Sequence, residues 1–271
     1  MTIAVKHSTL GNRIRAADFR DFSVAEARYA PGASLESHEH DFTYLSLVLH
    51  GEFEERVGRQ VELARSASVV VMPRGVVHGE CIGAPGARSV TVTLKRTLLE
   101  KAAGGRLALA RWRWFHGGRV ARLMFGAYRE YLRADAETEL GLSEFLFASL
   151  GAIEGERDAK VGSSSRCVAA AAELLRARST RGVRLAEVAD DLRKDPAYLA
   201  RAFRRQMGCT MSQYRRRVWV RQAAHFLSST EAPLSEVALK AGFADQSHLC
   251  RVFKAELGVT PHAYRALAGT R

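Results

Sequence analysis

Cysteine is scarce in this chain of 271 residues, with only Cys81, Cys167, Cys209 and Cys250, and no pair has Cys-x-x-Cys spacing. This scatter argues against a disulfide scaffold and a zinc knuckle. Long apolar runs are also lacking, since no stretch approaches the roughly 18 residues that a membrane span requires. The N-terminus shows neither a continuous apolar segment nor a small-residue cleavage site. We therefore expect a cytoplasmic protein that does not engage a membrane.

Negative charge is in short supply in the last two-fifths of the chain. The whole sequence has 41 Lys and Arg against 29 Asp and Glu, a net charge of +12. Residues 166–271 contain 19 of these basic residues and only 9 of the acidic ones, so they hold +10 of the excess. Such a concentration favours a polyanionic partner, most often nucleic acid and less often an anionic membrane surface.

The sequence divides into two regions of different pattern. Residues 22–95 contain short β-type runs between Gly and Pro turns, which predicts an antiparallel sandwich or barrel. Residues 119–132 and 142–153 show helical periodicity and would cover the sheet or face a partner subunit. Residues 154–166 are polar and rich in Gly and Ser, which indicates a linker. We predict an α+β chain with an N-terminal domain over 1–153, a linker over 154–166 and an all-α domain over 167–271.

The C-terminal region contains an internal repeat, in which residues 184–215 resemble residues 233–265. Leu199 and Arg215 recur 50 positions later as Leu249 and Arg265, whereas the matches before the turn have an offset of 49. One residue is therefore inserted in the second turn. Each copy has the pattern of two short helices joined by a tight turn, which predicts a helix-turn-helix.

In the second copy the sequence also predicts the helix ends. Ser235 is a suitable N-cap, with Leu234 and Leu239 placed for a hydrophobic staple around it. Gly242 can adopt the positive φ that ends the first helix. The second helix is predicted to run from near residue 245 to Leu257.

One face of each second helix is apolar, and the opposite face carries side chains suited to a DNA groove. We predict that DNA is contacted by Ala197, Ala200, Arg201, Arg204 and Arg205 of the first copy and by Gln246, Ser247, Cys250, Arg251 and Lys254 of the second. Arginine pairs with guanine and glutamine with adenine, each worth about 1–3 kcal/mol of discrimination. In the first copy Arg201 is the predicted base reader, and Arg204 and Arg205 are predicted to hold phosphates. A merely solvated face is disfavoured because the whole unit is duplicated.

These motifs resemble those of the AraC/XylS transcription regulators. The family signature is matched by Leu234 to Ala238, Gly242-Phe243, Ser247, Leu249, Arg251, Phe253-Lys254, Gly258, Thr260-Pro261 and Tyr264-Arg265. The resemblance covers about residues 166–268. It implies two helix-turn-helix units whose second helices enter successive major-groove segments of double-stranded DNA, with RNA polymerase as a further partner. The first copy has Met211 in place of Pro261, so we expect that unit to contact DNA differently or less specifically.

The N-terminal region resembles cupins at two segments, PGASLESHEH and MPRGVVH. His38 and His40 match one cupin motif and His78 the other, which implies a small β-barrel in which three imidazoles converge. Cupin enzymes usually add a Glu a few residues after the second His, and Tyr44 stands nearest that place here. We therefore expect an effector pocket lined by His38, His40, Tyr44 and His78, with no metal and no catalytic residue. Three histidines holding zinc remain the alternative.

The run RWRWFHGGR, residues 111–119, is basic and aromatic. We predict that Trp112, Trp114 and Phe115 pack at the edge of the helical layer, with the arginines in solvent. Stacking on single-stranded nucleic acid is the alternative.

The sequence thus predicts a regulator that is not an enzyme, whose cupin-like N-terminal domain senses an unidentified small effector and forms a homodimer. Two alternatives stay open. One is a cupin metalloenzyme with a basic tail that tethers it to DNA, and the other is an architectural DNA binder without an effector. Activation and repression are not distinguished by the sequence, although activators belong to the implied family.

Overall fold

The computed structural model describes residues 11–101, 109–155, 165–178 and 183–269. A sheet-rich N-terminal half is followed by helices, which confirms the predicted mixture of the two element types. The strands are β1 (Asn12–Asp18), β2 (Phe22–Tyr29), β3 (Ser34–His38), β4 (Thr43–Val57), β5 (Gln60–Arg65), β6 (Ser68–Met72), β7 (His78–Leu94) and β8 (Arg113–His116). The helices are α1 (Arg96–Lys101), α2 (Gly118–Arg133), α3 (Thr138–Gly155), α4 (Ser165–Ala177), α5 (Leu185–Asp191), α6 (Pro196–Met207), α7 (Met211–Ser229), α8 (Leu234–Ala241), α9 (Gln246–Leu257) and α10 (Pro261–Ala268).

The described strands pair antiparallel, as predicted. Their path runs β1-β2-β7-β4-β6-β8, with β3 added to β7 and β5 added to β4. This path does not close on itself, so the predicted closed barrel is not found among the described strands. The long β4–β7 ladder contains two register shifts, between Val48 and His50 and between Gly51 and Phe53. Such irregularities bend a ladder. Beyond the shifts, the last residues of β4 also pair with β5 and the first residues of β7 also pair with β3. The strand path stays open.

Residues 113–116 of the basic aromatic run form β8 and pair with β6. Phe115 packs in the core that includes α2, as predicted, whereas Trp112 and Trp114 pack on the sheet beside Tyr44, so the prediction is wrong for the two tryptophans. Alternation along an extended chain puts Trp112 and Trp114 on one face, and both indole N–H groups donate to Glu55 inside the sheet. Arg113 is not solvated as predicted, because it donates to the Ile153 carbonyl at 2.9 Å and lies 5.0 Å from the Phe115 ring centre.

The helices α2 and α3 form the predicted helical layer. Val120, Met124, Tyr128 and Tyr131 of α2 are buried in the core that the sheet contributes to. α3 packs on α2 at Gly126, where a Cβ atom would lie 2.3 Å from the Phe145 ring. The glycine therefore permits a close helix crossing, and the layer covers the sheet as predicted.

The two helix-turn-helix copies belong to different hydrophobic cores. The first copy and α4 form a separate cluster that includes Val168, Leu199 and Phe203. Residues of α7 to α10 instead share one cluster with the sheet, α2 and α3. The second copy is thus packed against the N-terminal half of the chain, whereas the first copy has its own core.

Tyr264 is the centre of the contact between the second copy and the sheet. Its side chain is fully buried between the rings of Phe125 and Phe253, each 5.3 Å away between centres. Its hydroxyl donates to the Leu49 carbonyl at 2.7 Å. Leu49 lies at the register shift between Val48 and His50. The tyrosine therefore satisfies a carbonyl at an irregular point of the sheet.

The predicted linker lies between α3 and α4. α3 extends to Gly155 and α4 begins at Ser165, so the first two and last two residues of the range 154–166 are helical. The other residues of that range lie outside the described residues. The domain boundaries therefore stay a prediction.

The buried Tyr264 contact predicts a loss of stability in Tyr264→Phe. Removing the hydroxyl leaves a buried carbonyl without this donor, and such a loss costs about 1–3 kcal/mol. Urea unfolding of the full chain measures this change. Tyr198→Phe is the control, because Tyr198 is an exposed tyrosine. Equal unfolding midpoints for Tyr264→Phe and the unsubstituted chain would contradict the assigned role.

Candidate DNA-reading faces and histidine pocket

The second copy folds as a helix-turn-helix, but its first helix starts earlier than predicted. α8 begins at Leu234, directly after Pro233, so Ser235 lies within the first turn and is not the N-cap. Proline fixes its own φ and lacks an N–H, so it can precede a helix without leaving a donor unpaired. Leu239 is 64% exposed, which excludes the predicted hydrophobic staple.

Equivalent aspartates start both second helices. Asp245 accepts a hydrogen bond from the His248 amide at 2.7 Å, and Asp195 accepts one from the Tyr198 amide at 2.7 Å. Each side chain satisfies a backbone donor that the helix itself leaves free. The predicted helix from near Asp245 to Leu257 is confirmed.

The turns between the helices also have the same geometry in both copies. Gly242 has φ of 96°, and Arg193, which is 49 positions earlier, has φ of 50°. Each amide donates to the carbonyl three residues before it, at 3.2 Å for Gly242 and 2.9 Å for Arg193. The sequence predicted a positive φ at Gly242 but not at Arg193, because a side chain disfavours this conformation.

A third repeated contact ties the end of each copy to its beginning. Arg265 donates to the Ala232 carbonyl, and Arg215 donates to the Val183 carbonyl at 2.7 Å. Both carbonyls lie just before the first helix of their copy. The arginine at the end of the repeated motif therefore makes the same structural contact in both copies.

The structure places all ten predicted DNA contacts on the side of α6 or α9 that faces away from the core. Cys250 and Ala200 are half-buried and the other eight are exposed, namely Ala197, Arg201, Arg204, Arg205, Gln246, Ser247, Arg251 and Lys254. We call the two sets the reading faces. They are backed by fully buried Leu199 and Phe203 in α6 and by Leu249 and Phe253 in α9. In the described part of the chain, the cationic groups of the reading faces have no ion-pair partner.

The N-terminal histidines converge as predicted. His38 at the end of β3 pairs with His78 at the start of β7, and their ring centres lie 4.3 Å apart. The Nε2 atoms of His38 and His40 are 3.2 Å apart, and the ring centres of His40 and His78 are 5.2 Å apart. Tyr44 donates from its hydroxyl to Nε2 of His78 at 3.4 Å. The four predicted pocket residues therefore form one cluster, which we call the histidine cluster.

Two carboxylates that sequence reasoning missed lie beside the histidine cluster. Glu55 of β4 stands directly opposite Glu80 of β7 in the sheet. Glu80 Oε1 is 3.9 Å from Nε2 of His78. A carboxylate was expected a few residues after His40, whereas Glu80 follows His78 by two residues on β7, and the pairing of β4 with β7 brings Glu55 opposite Glu80. Only the alternation of Phe53 and Glu55 along β4 could have indicated that Glu55 points inward.

Burial governs the protonation of these groups. Burial, together with the charge of Glu80, raises the pKa of Glu55 to about 8, against the opposing effect of the Trp112 and Trp114 hydrogen bonds. Burial also raises the pKa of Glu80 to about 7. The pKa of His78 is lowered by burial and then by the nearby His38. Burial therefore favours the neutral forms of Glu55, Glu80 and His78 unless a counter-charge is present.

Three of the four predicted pocket residues, His38, His40 and Tyr44, line a cavity of about 80 Å³, whereas the buried His78 is not among its lining residues. Its lining includes His38, His40, Tyr44, Glu55 and Glu80 together with apolar side chains. Pockets for drug-sized ligands usually measure about 300–1,000 Å³. The cavity therefore suits a very small occupant.

The C-terminal region is defined by its fold and faces as a tandem helix-turn-helix of the type that binds DNA. Residues 188–267 match the model of a family described as "Helix-turn-helix domain". The chain is similar to the HTH-type transcriptional activator RhaR of Cronobacter sakazakii, with 41% identity over 75 residues, 26% of each chain. It is similar to the arabinose operon regulatory protein of Escherichia coli K12, with 35% identity over 82 residues, 30% of this chain and 28% of that one. The C-terminal region thus matches a helix-turn-helix domain, as its motifs predicted, and the chain is similar in part to two regulators of transcription.

These matches span between a quarter and a third of the curated relatives' length. Among solved structures, ToxT of Vibrio cholerae O395 is similar over 93% of this chain and 99% of its own, at 13% identity and a TM-score of 0.41. No helix among the described residues has the length and apolar character of a membrane span.

The reading faces predict different effects for a base reader and a phosphate contact. Arg251→Ala should relax sequence preference at one base position and cost about 1–3 kcal/mol on the preferred site. Lys254→Ala should weaken binding equally on all sequences and lower the slope of log affinity against log salt by about one. Fluorescence anisotropy on matched and single-mismatch duplexes, over a range of salt concentrations, measures both. Identical behaviour of the two variants would contradict the division of roles.

Proposed function

We propose that this protein is a sequence-specific DNA-binding transcription regulator of the AraC/XylS type. The observation that carries the proposal is the pair of equivalent reading faces, each cationic on a helix whose other side is buried. The two relatives named above are a transcriptional activator and an operon regulatory protein. The ten residues of the reading faces are the proposed DNA contacts.

The connecting helix α7 supports a bipartite operator. A helix of this size, 19 residues, is about 28 Å long. That length is close to the roughly 34 Å that separates successive major-groove segments on one side of DNA. Arg215 at one end of α7 and the second copy at the other are both fixed by hydrogen bonds or packing. We propose that α7 holds the reading faces about one helical turn apart.

The N-terminal half is proposed as a cupin-like sensing domain with the histidine cluster as its effector pocket. An effector changes regulation only if it binds the two conformational states with different affinity. The buried Tyr264 contact joins the sensing half to the second copy. We propose that effector binding alters how firmly this copy is docked, and hence how freely the two reading faces reach DNA together.

The same proposal includes a cytoplasmic location, a homodimer, contact with RNA polymerase and no catalytic activity. The rival function, a metalloenzyme tethered to DNA, has one observation in its favour, since Glu55 and Glu80 lie beside the histidines. A tether needs no sequence-specific contacts, so this function would not explain the duplicated reading faces. We therefore rank it second.

Selection of bound sequences from a random DNA library tests the proposal. The full-length protein is the reagent, because the second copy shares its core with the sheet. We expect enrichment of a motif with two parts whose centres lie about 10 base pairs apart. The matched control is the double variant Arg201→Ala, Arg251→Ala, which should lose preference in both parts and keep salt-sensitive binding. Binding that is salt-sensitive but indifferent to sequence would refute the regulator and favour the tethered enzyme.

A further inference from the structure

We propose that a cleft between the sheet and the helices binds a phosphate group, either as inorganic phosphate or as part of a small phosphorylated metabolite. The cleft has a volume of about 350 Å³. Its ionisable lining residues are Glu52 of β4, Arg65 of β5, Arg176 of α4, Arg221 and His225 of α7, and Lys240 of α8. Binding at this cleft does not depend on the proposed regulation of transcription.

The cleft lies on the other face of β4 from the cavity beside the histidine cluster. Neighbouring side chains of a strand point to opposite faces of the sheet. Phe53 and Glu55 line the cavity, whereas Glu52 lines the cleft. Glu52 stands opposite Arg65 of β5 and accepts a hydrogen bond from its Nε at 2.7 Å. The cleft is therefore a second site, where α4, α7 and α8 meet the sheet.

Arg221 is the cation of this cleft whose charge has no partner. Its guanidinium makes no hydrogen bond or ion pair with any residue that the structure describes, and its Nε atom is buried. Arg215 and Arg265, by contrast, each donate to a backbone carbonyl. A half-buried cation without a partner is costly, because it loses water and gains no opposite charge. An anion in the cleft would remove this cost.

The other cations of the cleft are paired, and their pairs are exposed. Arg65 pairs with Glu52 at 2.7 Å, Arg176 with Glu173 at 2.7 Å and Lys240 with Glu236 at 2.6 Å. Four cations against these three carboxylates leave a net charge of +1, which is the charge of Arg221. Exposed pairs contribute little to stability, so the three paired cations can also turn to a bound anion at small cost.

The surroundings of Arg221 do not supply the missing negative charge. Burial lowers the pKa of Arg221, and the charges of Arg176 and Arg65 act in the same direction. Tyr214 opposes this effect, but its hydroxyl already accepts from Arg176 at 2.7 Å. Glu62 also opposes it, but already accepts from the imidazole at the end of β8 at 2.9 Å. The guanidinium thus lies among like charges and engaged acceptors.

His225 adds a second polar atom without a partner. It follows Arg221 by four residues on α7, so the two side chains lie on one face of the helix. Its Nδ1 atom is buried and makes no hydrogen bond within the described ranges of the chain. Burial lowers the pKa of His225, so the ring is neutral at pH 7 and can donate from one nitrogen. Guanidinium and imidazole together suit an acceptor with several oxygens.

The number of cations and the volume define the class of ligand. A carboxylate has one charge and two oxygens, so Arg221 alone would satisfy it. A phosphate has up to two charges and three terminal oxygens, and can therefore contact cations from several of the elements that line the cleft. The volume of about 350 Å³ lies at the lower end of small-molecule pockets. It accommodates a phosphate together with a small organic group.

Isothermal titration calorimetry of the full-length protein in phosphate-free buffer tests the binding. The probes are inorganic phosphate, glycerol 3-phosphate, glutarate and glycerol. We expect one site per chain for a phosphate probe and no binding of glycerol. Tighter binding of glycerol 3-phosphate than of inorganic phosphate would identify a phosphorylated metabolite as the source, and the reverse order would identify the free ion. Tighter binding of glutarate than of both phosphate probes would reject the proposed class of ligand.

Three variants locate the site. Arg221→Met removes the charge and should reduce the affinity for the phosphate probe at least about tenfold. Arg221→Lys keeps the charge but loses the planar fork, so its affinity should lie between those of Arg221→Met and the unsubstituted chain. Arg129→Met is the matched control, because it removes an exposed arginine of α2, and it should bind like the unsubstituted chain.

Thermal unfolding separates a ligand-binding role of Arg221 from a structural one. Without phosphate, Arg221→Met should unfold at the same temperature as the unsubstituted chain or a higher one, since an unpaired cation is replaced by an apolar side chain. Phosphate should then stabilise the unsubstituted chain and Arg129→Met more than Arg221→Met. The general stabilising effect of phosphate salts acts on all three proteins. A lower unfolding temperature of Arg221→Met without phosphate would show a structural role and contradict the inference.

Two further results would overturn the inference: no saturable binding of either phosphate probe to the unsubstituted chain, or unchanged affinity in Arg221→Met. DNA selection with the same protein samples in phosphate-free buffer separates these results from the proposed function. A protein that selects a bipartite motif without binding phosphate is a regulator without this site. One that binds phosphate at Arg221 but has no sequence preference has the site and is not the proposed regulator.

Discussion

The packing of Tyr264 against the sheet is the constraint on which the arrangement of this molecule depends. The ring fills a space between α2 and α9, and the hydroxyl reaches the Leu49 carbonyl across the boundary between the two halves of the chain. Nearby, Arg88 joins Glu26 at 2.6 Å and donates to the Gly269 carbonyl at 3.1 Å. The Tyr264 contact is buried, and its one hydrogen bond is surrounded by apolar side chains. The position of α9 is therefore set by the sheet as well as by the second helix-turn-helix copy.

The duplicated unit shows how one motif serves two purposes. Tyr214 is equivalent to Tyr264, but its hydroxyl accepts from Arg176 of α4 at 2.7 Å and so closes the core of the first copy. In the second copy the same residue type makes the bond to the sheet. Asp195 and Asp245, by contrast, keep one role in both copies. The capping and turn contacts thus preserve the unit, while the tyrosine determines what the unit packs against. This difference is a physical reason to expect unequal contributions of the two copies to the proposed DNA recognition.

The C-terminal helices could be predicted from short stretches of sequence, whereas the pocket could be predicted only in part. The helix from Asp245 to Leu257 follows from a side-chain cap, a 3.6-residue repeat and a terminal glycine, all read within a dozen residues. The wrong N-cap at Ser235 arose because Pro233 starts the helix without a side-chain hydrogen bond. The convergence of the histidines was legible through a family motif. Glu80 was missed although it follows His78 by two residues on one strand, because a carboxylate was expected only after His40. Trp114 was misplaced because an alternating strand of four residues is too short to distinguish from the edge of a helical layer.

Strand β4 connects the pocket to the second copy, and this connection has a definite physical form. Tyr44 and Glu55 both line the cavity, and Leu49, between them in the strand, lies at the shift in register that receives Tyr264. In the proposed mechanism the second copy is docked when the Tyr264 hydroxyl reaches the Leu49 carbonyl, as it does in this structure, and released when that bond is broken. An occupant of the pocket acts on DNA binding only through a different affinity for those two states. We expect this difference in affinity to act at the bulge at Leu49. There a single hydrogen bond joins the strand that lines the pocket to the tyrosine that docks the second copy.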